Sequence, residues 1–182
     1  MTERELPWSV PVRLEDVPEQ GRSFDMEADA AMRAAIGKIA GVREIDHLAA
    51  HFDLRREAGD RLHVMGRVSA TVDQTCVVTL EPLTNEVEET IDLVFAPPQD
   101  VTLGEEDEDD PTRTYLEPDP PETLVNGAVD LGAIATEFLI LGIDPYPRKP
   151  GAVFTAPQAQ EDTVHPFAAL AALKKKGGNV KD

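Results

Sequence analysis

Between Arg61 and Asp73 the even positions Leu62, Val64, Val68, Ala70 and Val72 are apolar. Arg61, His63, Arg67, Ser69, Thr71 and Asp73 stand between them. A two-residue period sustained this long commits the stretch to a β-strand with one buried and one wet face. Its neighbours carry the same signal. His51 to Arg56 alternates through Phe52 and Leu54, and Ala58-Gly59-Asp60 supplies a tight connection. Val87, Ile91, Leu93 and Phe95 alternate against Glu86, Glu88, Thr90 and Asp92. Thr75 to Leu80 is expected to continue the sheet, with Glu81-Pro82 turning it. Three or four antiparallel strands follow, with one face left to solvent.

Two helices are expected beside this sheet. The first spans Met26 to Ala40, with Asp25 as cap, Met32, Ile36 and Ile39 on one face, and Gly41 as a left-handed stop. The second begins at Asp130 and carries Leu131, Ile134, Ala135, Phe138 and Leu141 along one stripe up to Gly142. Trp8 to Leu14 alternates like a short strand that Pro7 and Pro11 confine to an edge. Asp144 to Gly151 holds three prolines and reads as rigid and extended. The expected fold is α+β: an antiparallel β-meander with two main helices packed on it, in one domain over residues 1–155. Residues 99–121 read as an acidic, proline-rich loop, because the six adjacent carboxylates Glu105 to Asp110 repel one another. Residues 156–182 read as a flexible tail, with a short helix from Pro166 to Leu173 followed by Lys174, Lys175 and Lys176.

The charge balance narrows the function. Seventeen basic residues against 35 acidic ones leave a net charge of −18. Such a surface repels phosphate and attracts cations, so a basic protein suits it better than bare nucleic acid. No apolar run is long enough to cross a membrane as a helix, and the N-terminal residues lack a secretory pattern, so the cytoplasm is the expected location. A single cysteine, Cys76, forms no intramolecular disulfide; between apolar neighbours in a strand it is expected to be a neutral, hydrophobic thiol. His47 and His51 share a face if extended, but too far apart to chelate one ion. No metal and no cofactor are expected. Phosphate-binding and nucleophile-elbow motifs are absent from the sequence, and no catalytic residue is assigned.

Two stretches carry a family resemblance. Cys76-Val-Val-Thr79-Leu80-Glu81-Pro82, with the alternating strand to Phe95, resembles the C-x-x-C-L-x-P element of YceD-like proteins, the large ribosomal RNA subunit accumulation family. Val129 to Leu141 followed by Ile143-Asp144-Pro145 is similar to that family's closing helix, and Asp144 to Gly151 resembles its α-proteobacterial variant. The second cysteine of the element is Thr79 here. The resemblance implies support for accumulation or processing of large-subunit (23S) ribosomal RNA, with no defined catalytic residue.

The favoured expectation is a non-catalytic biogenesis factor whose polar sheet face engages a basic ribosomal protein or a large-subunit assembly factor, touching ribosomal RNA only weakly or indirectly. Tyr146, Arg148 and Glu137 are candidate partner contacts; the competing structural reading packs Tyr146 on the sheet and pairs Arg148 with Glu137. The rival functional reading is direct RNA binding through an arginine strip built from Arg55, Arg61 and Arg67, with Arg43 and Arg56 nearby. An RNA-processing enzyme would need a convergent polar pocket.

Overall fold

Three long strands, β3 (Glu44–Glu57), β4 (Arg61–Thr75) and β5 (Pro82–Ala96), make the frame. They come from a computed structural model that describes residues 6–98 and 120–154. Each pairs antiparallel with the next. The apolar period sets the register: Leu62 lies opposite Phe95, Val64 opposite Leu93, and Ala70 opposite Val87, all on one face. β2 (Arg22–Glu27) joins the free side of β3, and β6 (Glu122–Thr123) runs parallel to β5, giving the order β2-β3-β4-β5-β6. A two-stranded ribbon of β1 (Pro11–Arg13) and β7 (Ala128–Asp130) stands apart from this sheet. β7 follows the tight Asn126-Gly127 turn, in which both residues take positive φ.

Helix α1 (Ala30–Ala40) packs against β3, and α2 (Leu131–Gly142) against β4 and β5. Between helices and sheet lie Ile36, Phe52, Leu54, Leu62, Val64, Leu131 and Leu139, all closed to solvent. Each such side chain contributes about 1.5–3 kcal/mol by leaving water. The start of α2 is tied to the N-terminal segment through Asp130. Its carboxylate caps the helix by accepting from the Gly132 and Ala133 N–H groups and also accepts from the Val10 N–H at 2.8 Å.

The α+β meander with two helices is the observed fold, and several boundaries differ from the sequence reading. Residues 22–27 are an edge strand, so α1 starts at Ala30 and its cap is Asp29, which accepts from the Met32 N–H, instead of Asp25. Pairing with β3 outweighs the helical preference of Met26 and Glu27. Ile39 is 54% exposed and Leu141 72% exposed; α1 buries Ile36 and Gly37, and α2 buries Leu131, Ile134 and Ala135 of the expected stripe together with Leu139. Cys76 to Glu81 is a turn between β4 and β5, where a strand was expected. The acidic run Glu105 to Asp110, the helix expected over Pro166 to Leu173 and the lysines after it lie outside the described residues. Every element above belongs to the unit Met1–Ala152.

Candidate functional site

Alternation along the strands turns one set of side chains away from the helices, and these form the wet face. The edge strand β2 contributes Ser23, Asp25 and Glu27; β3 contributes His47, Ala49, His51, Asp53, Arg55 and Glu57. Arg61, His63, Met65, Arg67, Ser69, Thr71 and Asp73 come from β4, and Glu86, Glu88, Thr90 and Asp92 from β5. Carboxylates from all four strands outnumber the three arginines. Arg67 donates to Glu88 at 3.1 Å. Arg55 lies across from His63, and Arg61 across from Glu57. The arginines therefore share a face, as expected, but carboxylates and histidines interleave them and no continuous positive strip results. Arg56 falls on the other parity, facing the end of the core side.

Three of the four histidines lie on this face, each beside carboxylates. His51 Nδ1 is 2.7 Å from Asp25, and its Nε2 is 3.5 Å from Asp53. His63 Nε2 is 2.6 Å from Asp92, and its Nδ1 is 3.5 Å from Glu57. His47 is 4.0 Å from Glu27. The hydrogen bond that His51 donates to Asp25 raises the pKa of His51 above its ordinary value, with the charges of Asp25 and Asp53 adding to the effect against desolvation. The Ser23 hydroxyl donates to Asp53 and holds that carboxyl below its usual range. Among the described residues no cluster of His, Cys, Asp and Glu has the arrangement to hold a metal ion. Sequence reasoning placed His63 on the wet face by its parity. It missed the histidine–carboxylate pairs because Asp25 and Asp92 come into reach only through strand register.

A second constellation joins the two motif stretches. Cys76 is buried in the β4–β5 turn, where its Sγ accepts from the N–H groups of Thr79 and Lys149, each at 3.4 Å. Hydrogen bonding, with the Thr79 side chain as the largest contributor and the Lys149 and Thr79 N–H groups next, lowers the thiol pKa to about 6. The expected neutral, purely apolar thiol is therefore corrected: donors around the sulfur favour thiolate over the desolvation that opposes it. Further ties run from Val77 N–H to the Pro147 carbonyl at 2.9 Å and from Gln74 Nε2 to the Asp144 carbonyl at 2.8 Å. Lys149 Nζ donates to Glu81 at 2.9 Å and holds that carboxyl below its ordinary range.

Tyr146 is 71% exposed, so it does not pack on the sheet. Arg148 and Glu137 are also exposed, and among the described residues they do not pair with each other. This end of the molecule also shows Leu80, which is 76% exposed with φ of 59°. That left-handed conformation costs a leucine about 1–2 kcal/mol.

No helix among the described residues is long and apolar enough to cross a membrane. No curated protein and no solved structure matches the chain. A family model described as "Large ribosomal RNA subunit accumulation protein YceD" matches residues 64–174, more than half of the sequence. The match takes in β4 from Val64 on, the Cys76 turn, β5, α2 and the Asp144 to Gly151 stretch, so both motif stretches and their junction fall inside it. The chain belongs to the YceD family, whose description ties it to biogenesis of the large ribosomal subunit and names no enzymatic reaction.

Proposed function

We propose that this protein is a non-catalytic cytoplasmic factor that supports accumulation of large-subunit ribosomal RNA by binding a basic ribosomal protein or assembly factor through the wet face of its sheet. The observation that carries this reading is the charge pattern of that face. Carboxylates on four adjacent strands surround three arginines, one of them already paired with Glu88. With a net charge of −18 behind it, such a face draws a cationic protein and repels bare phosphate. Tyr146 and Arg148, exposed beside the motif junction, and Glu137, exposed on α2, belong to the same reading as secondary contacts within one domain over residues 1–155.

Direct RNA binding through Arg55, Arg61 and Arg67 is the competing possibility. A mobility-shift titration with protein-free large-subunit RNA near physiological salt separates the two. Weak binding to naked RNA is expected, alongside salt-sensitive binding to large-subunit proteins. Sub-micromolar RNA affinity that disappears in a folded Arg55→Glu/Arg67→Glu protein would reject the protein-partner reading.

A further inference from the structure

Among the described residues no strand pairs with the outer edge of β2. In the sheet order β2 is terminal, and β3 is its one strand neighbour. The Ala28 N–H donates to the Leu48 carbonyl, which continues the register that places Met26 opposite Ala50 and Phe24 opposite Phe52. Antiparallel pairing alternates, so Met26 and Phe24 exchange backbone hydrogen bonds with β3. The backbone N–H and C=O groups of Ser23, Asp25 and Glu27 therefore point outward, away from the sheet. The side chains of Asp25 and Glu27 stand on the wet face, 89% and 71% exposed. On the other face Phe24 and Met26 are half-buried. Just inside the edge, the small residues Ala49 and Ser69 floor a depression of about 380 Å³ bounded by Asp25, Glu27, His51 and Arg67.

We propose that β2 is a docking edge for an extended cationic segment of a partner protein, which adds as a further strand of the sheet. Unpaired edge groups supply main-chain hydrogen bonds, and side-chain alternation supplies selectivity. Lysine or arginine at every second position would lie between Asp25 and Glu27, and a long side chain would reach the depression over Ala49. The intervening apolar residues would rest on Phe24 and Met26. A second copy of this chain is the poorer occupant, because pairing β2 with β2 would set Asp25 and Glu27 against their own like charges. This inference rests on the wet-face reading and names the form of partner that the face takes.

Isotope-labelled full-length protein titrated with three acetylated and amidated peptides tests it. The first is Lys-Val-Lys-Val-Lys-Val, the second the same peptide N-methylated at alternate residues, and the third Lys-Lys-Lys-Val-Val-Val. The alternating peptide should bind at least about tenfold more tightly than either control and slow hydrogen exchange at the Ser23, Asp25 and Glu27 amides. Asp25→Asn/Glu27→Gln protein, which keeps the shape of both side chains, should lose most of that difference. Equal binding of all three peptides, or binding without protection of those amides, overturns strand addition while leaving the wet-face reading intact. Failure of every peptide to bind at low salt overturns both.

Discussion

Gly66 sits in the middle of β4 at an even, core-facing position that the apolar pattern skips. It lies directly across from Phe52, whose ring is fully buried. A Cβ at Gly66 would stand 2.6 Å from Phe52 Cδ1 and 2.6 Å from the His51 carbonyl oxygen. The ring is packed in the core, and the carbonyl belongs to a paired strand. Overpacking of this kind costs about 1–3 kcal/mol, and the backbone clash puts Gly66→Ala near the top of that range. Removing glycine's excess freedom in the unfolded chain returns about 0.5–1 kcal/mol. The net loss is about 2 kcal/mol, or roughly 4–8 °C in melting temperature for a domain of this size. Differential scanning calorimetry on Gly66→Ala, Phe52→Leu and the double variant measures it. The double variant should be more stable than additivity predicts by about 1 kcal/mol, since the smaller side chain vacates part of the contested space. An alanine variant as stable as the native protein, or strictly additive losses, would refute the reasoning.

Asp130→Ala removes the acceptor for the Gly132, Ala133 and Val10 N–H groups, and a loss of about 3 kcal/mol is expected in urea unfolding, with Asp130→Asn costing about 1 kcal/mol. Thiolate ultraviolet absorbance should place the Cys76 midpoint at about 6. Because the folded value lies below the ordinary 9.0, the stabilisation is complete above 9.0 and is lost as pH falls through about 6; Cys76→Ser should flatten that rise. His51 titrates the opposite way. Its raised pKa contributes stability fully present below 6.5 and lost as pH rises through the folded value, and Asp25→Asn should return its NMR midpoint toward 6.5.

The sequence by itself determined the wet and dry faces of β4, because a period of two admits one assignment of side chains once one face must be buried. It also determined α2, whose cap Asp130, apolar stripe and Gly142 act within a single helix. The acid-rich character of the site was legible for the same local reason: Glu86, Glu88 and Asp92 alternate with the core residues of their own strand. Tertiary structure decided the rest. Residues 22–27 became a strand because β3 offered an edge to pair with, which no local propensity encodes. Register brought Asp25 to His51 and Asp92 to His63 across separations of 26 and 29 residues, turning scattered histidines into histidine–carboxylate pairs. Cys76 takes its electronic character first from Thr79, close in sequence, and then from Lys149, 73 residues away, whose backbone N–H reaches the sulfur only because the segment after α2 folds back over the β4–β5 turn. Local pattern fixes which way a side chain points along its own element; which donor or carboxylate it meets is set by elements distant in sequence.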